Sequence, residues 1–236
     1  AVDERIISHM PASLSFEEAA ALPLSAITAW EILFDRFRTH LITPSQQKSI
    51  LIVGAAGGVG SIMVQLAAKV ANLKVIATAS RPESAQWVRG LGAHHVINPR
   101  ADWREQLSAF NVQYVDYIAS LTASGEHVTK SADILSPQGA FSLIDDPDCF
   151  DIGVFKRKSI SVHWELMFTR ALYDTPDLHE QGKLLQRVAQ LVDGGVLKST
   201  ANGPVHSLSV EALEAAHQEL RAGTAIGKRV FSVSFG

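Results

Sequence analysis

The segment Ile50-Leu51-Ile52-Val53-Gly54-Ala55-Ala56-Gly57-Gly58-Val59-Gly60-Ser61 constrains this chain more than any other. A β-branched run passes directly into a glycine-rich turn, and the turn passes into residues with a helical apolar period. Against the pattern G-x-G-x-x-G, Ala55 replaces the first glycine while Gly57 and Gly60 stand in place. Glycine at the middle position lets backbone approach a pyrophosphate, and glycine at the third lets the helix pack on the strand. Free N–H groups at a helix start, with the positive end of its dipole, stabilise phosphate charge. Tight turns also need glycine for backbone reasons alone, so the string takes its meaning from its surroundings.

Those surroundings alternate. Apolar β runs at Ile50–Val53, Lys74–Thr78, His95–Asn98, Tyr114–Ala119, Ala140–Ile144 and Ser159–His163 are separated by amphipathic helices at about Val59–Ala71, Pro82–Leu91, Asp102–Phe110 and Gly125–Leu135. Pro82 in a first turn, Gly92 after a last turn and Asp102 as an N-cap mark helix ends. β-branched runs buried on both faces and joined by helices imply a parallel sheet with right-handed crossovers. The expectation is an α/β, Rossmann-type doubly wound sheet in the order 3-2-1-4-5-6, with the glycine turn at its central crevice. Before it, Ala1 to Ile7 read as the end of a strand-rich segment, Ser15 and Glu18 form a capping box, and a helix runs from about Ser25 to Phe37. After it come helices near Leu178–Val192, stopped by Gly194-Gly195, and Val210–Ala222, then a last strand from Lys228 to Val233.

The end of the second strand selects the ligand. NAD sites place Asp or Glu about twenty residues past the glycines, on the ribose 2′-hydroxyl. Here Ile76-Ala77-Thr78-Ala79-Ser80-Arg81 offers no acid before Glu83, and a hydroxyl and a guanidinium stand where a 2′-phosphate would sit. Arg pairs with phosphate through two charge-assisted bonds, so Ser80 and Arg81 point to NADP(H). The plainer alternative is that Arg81 is a solvated loop residue. The missing acid also argues against an S-adenosylmethionine methyltransferase. No Ser-His-Asp set, paired carboxylates or metal cluster stands out, so the chemistry falls to the cofactor. No tyrosine has lysine four residues later, which disfavours a short-chain dehydrogenase.

Composition narrows the partners. With 21 basic and 24 acidic residues, net charge −3, there is no large basic field for nucleic acid or anionic lipid. Ser49 to Ala68 lacks charges, but Gly54, Gly57, Gly58 and Gly60 in its middle suit strand, turn and helix better than a membrane span. A single cysteine, Cys149, excludes an internal disulfide and any Cys-cluster zinc site, and fits a reducing cytoplasm.

Three motifs then resemble the medium-chain dehydrogenases/reductases. Ala19-Ala20-Ala21-Leu22-Pro23-Leu24-Ser25-Ala26-Ile27-Thr28-Ala29-Trp30 resembles the helix pair ahead of their nucleotide fold. The glycine turn resembles their quinone-oxidoreductase branch, and Ala216-His217, Leu220, Gly223 and Gly227-Lys228 with Val230 resemble their C-terminal helix, turn and closing strand. The likeness is nearest to the bacterial zinc-type alcohol dehydrogenase-like quinone reductases. It implies a GroES-like catalytic domain before the nucleotide fold, to which the chain returns at the end. On that reading residues 1–22 are the end of the catalytic domain with the first helix, 23–170 the NADP-binding domain, and 171–236 the returning segment. Most of the catalytic domain would lie outside these residues, so the chain reads as a fragment.

The resemblance also implies a site. Its cofactor residues would be Thr28 near the nicotinamide end, Ala56, Gly57, Gly58, Val59 and Gly60 in the turn, and Ser80 and Arg81 at the 2′-phosphate. Leu121 and Thr122 would lie over the adenosine ribose, and Ile144 and Asp145 beside the nicotinamide. Pro99 stands where many relatives carry a stacking tyrosine. Zinc is not expected: the position of the catalytic cysteine is Leu24, and adjacent His94 and His95 in a strand would face opposite ways. His163-Trp164-Glu165 and Met167-Phe168 could edge a substrate cleft or a subunit contact. The sixth run, Ser159–His163, has neither proline nor internal charge, and relatives pair this edge into a homodimer; the alternative is that Trp164 to Leu172 fold back over it. The function implied is NADPH-dependent reduction of quinones or activated alkenes by direct hydride transfer, the alternative a non-catalytic NADP(H)-binding module or sensor.

Overall fold

The computed structural model describes residues 2–41 and 47–233. Its centre is a six-stranded parallel sheet in the order β3-β2-β1-β4-β5-β6. The strands are β1 (Ser49–Val53), β2 (Lys74–Thr78), β3 (His95–Ile97), β4 (Val115–Ser120), β5 (Leu135–Leu143) and β6 (Ser161–Trp164). The crossovers are α3 (Gly58–Lys69), α4 (Pro82–Leu91), α5 (Trp103–Ser108) and α6 (Ser124–Ile134). Ahead of the sheet lie α1 (Phe16–Ala20) and α2 (Pro23–Trp30), the latter continuing as a π-helix over Glu31–Arg36. Beyond it lie α7 (Thr169–Leu172), α8 (Glu180–Asp193), α9 (Val210–Arg221) and a small parallel pair, β7 (His206–Ser207) with β8 (Phe231–Ser232).

Strand period 2 divides the core. Ile50 and Ile52 face one side with Ile62, Met63 and Leu66 of α3, while Leu51 and Val53 face the other with Trp103, Ile118 and Phe141. Every residue of β1 is buried, as a central parallel strand covered on both faces must be. α3 is buried continuously from Gly60 to Ala67, and α2 and α8 pack over that side of the sheet.

Several boundaries differ from the sequence reading, each for a local reason. Residues near the start form a 3-10 turn over Glu4–Ile6, not a strand, because Asp3 caps Arg5 N–H and grips its guanidinium; Ala1 lies outside the described residues. The helix expected from about Ser25 opens at Pro23, which takes the first turn of α2. β5 begins at Leu135, which pairs with Val115 before the ladder resumes at Ala140 opposite Tyr117. Among the described residues the last strand is paired only at Phe231–Ser232, with a single bridge from Lys228 to Ala201. The capping box forms: Ser15 N–H donates to Glu18 and Glu18 N–H to Ser15 Oγ.

A buried charge cluster ties the π-helix to the end of β6. Glu31 and Glu165 are 2% and 4% exposed. Arg170 pairs with Glu31 and, at 3.0 Å each, with Asp35 and Asp177, while Arg36 Nε donates to Glu165 at 2.8 Å. Burial, then the hydrogen bond and charge of Glu165, push Glu31 up to about 8, against the pull of Arg170. The folded protein thus keeps a proton that the unfolded chain has lost, and the stability linked to it falls as pH rises from the ordinary carboxyl range through about 8. In Glu31→Gln the urea midpoint should gain on wild type steadily between about pH 5 and about pH 9. Parallel midpoint curves for the two proteins would show that Glu31 holds no such proton.

Candidate functional site

The carboxyl ends of β1, β2 and β4 open onto one cleft of about 380 Å³. Open α/β sheets bind ligands at this switch point, where neighbouring crossovers leave on opposite faces. The floor is Val53, Gly54, Ala56 and Gly57; one wall is Thr78, Ala79, Ser80 and Arg81; Pro99, Leu121, Thr122 and His127 form the other. Leu220, Gly223 and Ala225 of the C-terminal turn close the top.

The glycine turn is built from two constraints. Gly54 has φ +75, and a Cβ there would stand 3.0 Å from Thr122 Cγ2, so this glycine, one position before Ala55, makes the sharp bend. Thr78 Oγ1 fixes the bend by accepting the Gly54 N–H at 3.0 Å. Gly60 makes the close approach: a Cβ there would lie 2.5 Å from the carbonyl oxygens of both Gly54 and Ala55. Gly57 is the N-cap of α3 and no side chain caps this end, so the first N–H groups of the helix remain available to a ligand. Ser61 Oγ donates to Gly57 O at 2.7 Å and accepts Trp87 Nε1–H at 2.8 Å, bracing the turn from behind.

The cleft brings together Ala56, Gly57, Ser80, Arg81, Leu121 and Thr122 from the anticipated set. Gly58, Val59 and Gly60 form the adjoining first turn of α3. Arg81 is not a solvated loop residue: its guanidinium donates to the carbonyls of Gly223 at 3.1 Å and Thr224 at 2.7 Å. Thr28, Ile144 and Asp145 lie away from the cleft lining. Thr28 is 4% exposed with its hydroxyl on Leu24 O, and Ile144 packs against the core. Asp145 accepts the Ser124 N–H at 2.9 Å and the Ser124 hydroxyl, capping α6, whose own N-cap residue Ala123 offers no side-chain bond.

Sequence reasoning missed Gly54, Thr78, His127 and the C-terminal turn as parts of this cleft. His127 has its Nδ1 buried without a partner, and burial, then the charge of Lys130, lower its pKa, so it enters the cleft neutral at pH 7. Among the described residues Arg81 is the one lining residue with a full charge, and no carboxylate of theirs lines the cleft.

Zinc does not fit the described residues. No group of three His, Cys, Asp or Glu side chains among them is placed to hold a metal. Leu24 has no donor atom, Cys149 is exposed and alone, His94 accepts the Val75 N–H, and His95 stacks on Phe110. No helix of the described residues is long and apolar enough to cross a membrane.

Comparison with known proteins agrees with this architecture. Residues 58–194 match the family described as zinc-binding dehydrogenase. The chain is 34% identical over 234 residues to the zinc-type alcohol dehydrogenase-like protein SAS2087 of Staphylococcus aureus (strain MSSA476), covering 98% of this chain and 70% of that protein. A Rhizobium etli CFN 42 structure named for the zinc-dependent alcohol dehydrogenases superposes with TM-score 0.93 at 48% identity, over 100% of this chain and 68% of that one. The CurK enoyl reductase superposes with TM-score 0.75 at 30% identity, over 94% of this chain and 64% of that one.

The two kinds of glycine separate in a stability test. Gly60→Ala should lower the unfolding free energy by about 1–3 kcal/mol, the scale of an overpacked buried site. Gly90→Ala, in an exposed stretch of α4 where an added Cβ meets nothing within 4 Å, should raise it by roughly 0.5–1 kcal/mol. Denaturant unfolding of both variants decides; equal effects would remove the close-approach argument.

Proposed function

The chain belongs to the zinc-binding dehydrogenase family of the medium-chain dehydrogenases/reductases, a family of oxidoreductases, and from that premise we propose that it is an NADPH-dependent reductase of quinones or activated alkenes. The carrying observation is the charge at the end of β2. Among the described residues Ser80 and Arg81 line the cleft and no acidic side chain does, which suits a 2′-phosphate and leaves the ribose hydroxyl of NAD without its usual acceptor. The residues fit the group. The backbone of Ala56, Gly57, Gly58, Val59 and Gly60 would take the diphosphate, Leu121 and Thr122 would cover the adenosine ribose, and Thr28, Ile144 and Asp145 would lie toward the nicotinamide end.

Arg81 can serve two partners. A guanidinium carries five N–H donors, and the bonds to Gly223 and Thr224 occupy two of them. It would hold the C-terminal turn and still reach a phosphate oxygen. When bound, a reduced nicotinamide supplies the hydride; the chain's own residues bind, orient and exclude water. The likeness to an enoyl reductase supports an activated double bond as one acceptor class. On this reading residues 23–170 are the nucleotide domain, and 1–22 with 171–236 belong to the catalytic domain. The single exposed cysteine, Cys149, suits the cytoplasm.

Arg81→Ala should weaken NADPH binding by about 1–3 kcal/mol, the worth of a charge-assisted contact, and leave NADH nearly unchanged. Calorimetry showing equal losses would take Arg81 off the 2′-phosphate. Turnover of phenanthrenequinone with NADPH separates the reductase from a binding module, which would bind the nucleotide without consuming it.

We also infer a homodimer through β6. Among the described residues this strand pairs only with β5 and is half-exposed along its length. The segment after it does not cover the edge: Met167 turns to Ile27 and Leu184, while Trp164, Leu172 and Tyr173 stay exposed at 55%, 67% and 76%. Such an edge invites an isologous strand pairing. Light scattering should give twice the chain mass at micromolar concentration and the single mass for Val162→Pro, since proline obstructs strand pairing. A wild-type monomer would end this inference.

A further inference from the structure

The two walls of the cleft differ in chemistry. One carries the hydroxyls of Thr78 and Ser80 with the Arg81 guanidinium; the other, Pro99, Leu121, Thr122 and His127, carries no full charge at pH 7. The uncharged wall is a built unit. Trp103 of α5 is 2% exposed and donates through Nε1 to the Pro99 carbonyl at 3.1 Å. Lys130 of α6 donates to the same carbonyl at 3.3 Å, with its ammonium 5.7 Å from the centre of the Trp103 ring. The Lys130 cation is thereby engaged by the chain's own backbone and by an aromatic face.

His127 is the group that this unit leaves unsatisfied. Its ring packs against Trp103, with centroids 5.1 Å apart and planes tilted by 44°. Nδ1 is buried and has no hydrogen-bond partner. Nε2 has no partner among the described residues either, but it is not buried, so it is the open nitrogen of a ring that lines the cleft. This geometry places the proton. An imidazolium carries N–H at both nitrogens, and one of them would here be buried without an acceptor. An orphaned buried N–H is rarer in proteins than an orphaned acceptor, so the ring is neutral and keeps its proton on Nε2. His127 therefore offers one neutral N–H donor beside the apolar ring of Pro99. Such a wall suits a flat, uncharged heterocycle with acceptor nitrogens in its plane, whereas a phosphate is drawn to the guanidinium opposite.

We propose that His127 reads the base of the bound nucleotide, its Nε2–H donating to a ring nitrogen of adenine laid against Pro99. The inference rests on the nucleotide reading of the cleft and adds a specificity-determining residue to it. It also divides the work between the walls. His127 acts on the purine common to NADPH and NADH and sets affinity for both, whereas Arg81 acts on the 2′-phosphate and sets the preference between them.

His127→Phe keeps a flat ring on Trp103 and removes the donor. Calorimetry should show this variant binding NADPH, NADH and adenosine 2′-monophosphate each about three- to tenfold more weakly, the loss of one neutral hydrogen bond. Arg81→Ala gives a different pattern, because it spares NADH. The contact itself is read with analogues of adenosine 2′-monophosphate in which one purine ring nitrogen is replaced by C–H. In wild type one of these replacements should cost a similar factor. The same replacement should cost nothing further in His127→Phe, the signature of a paired donor and acceptor. Wild type indifferent to every replacement, a result that needs no variant, would overturn the role of His127. So would a replacement that costs the variant as much as it costs wild type, which would leave His127 a packing residue. Wild type binding neither dinucleotide nor adenosine 2′-monophosphate would instead overturn the nucleotide reading, a result distinct from both.

Discussion

The structure depends on one close approach, that of α3 to the end of β1. At Gly60 the helix backbone comes so near the carbonyls of Gly54 and Ala55 that no side-chain carbon fits between them. That contact seats α3 on the sheet deeply enough for Ile62, Met63 and Leu66 to be fully buried. It also aims the helix start at the crevice where β1 and β4 part. The same missing atom therefore serves packing and ligand access together. A bulkier residue would push the helix outward, thinning the core behind it and moving the free N–H groups away from the cleft in front.

The parts of this arrangement that were legible in the sequence are those fixed by local chemistry. β2 and α4 lie where the apolar runs and Pro82 placed them, and the six-strand order follows from short βα connections and handedness. The glycine turn was readable because backbone geometry there admits few alternatives, although the bend falls on Gly54 instead of at Ala55. What was not legible is what depends on distant partners. Nothing near Arg81 reveals that its guanidinium will meet carbonyls of Gly223 and Thr224. Nothing near Asp145 reveals that its carboxylate caps a helix begun more than twenty residues earlier. The π-helix over Glu31–Arg36 has no signature of its own; it carries Glu31, Asp35 and Arg36 of a charge cluster completed by Glu165 and Arg170 beyond β6.

The family takes its name from zinc, and among the described residues of this chain no set of donors gathers to hold one. A catalytic metal needs donors converging on one point, whereas Leu24 presents an aliphatic side chain and the histidines of β3's approach are occupied by backbone and by Phe110. The glycine turn does not depend on such donors, because its constraints are backbone contacts. The acceptors in the proposed function, quinones and activated alkenes, have carbons that are already electron-poor and so ask little of a metal.

The C-terminal turn gives the cleft its remaining logic. Leu220, Gly223 and Ala225 close the top, yet the turn is held by groups that belong to the floor and wall: Ala56 through Gly227, and Arg81 through two carbonyls. Arg81 also stands at the N-cap of α4, where Ser84 Oγ donates to its carbonyl at 2.9 Å. One residue thereby joins the end of β2, the start of α4 and a turn from the far end of the chain. These bonds tie the wall to three parts of the fold, and a wall held by the chain's own bonds leaves less ordering entropy to oppose a ligand. In the proposed function, a phosphate on the spare donors of Arg81 would add to a wall that the chain's own bonds hold together.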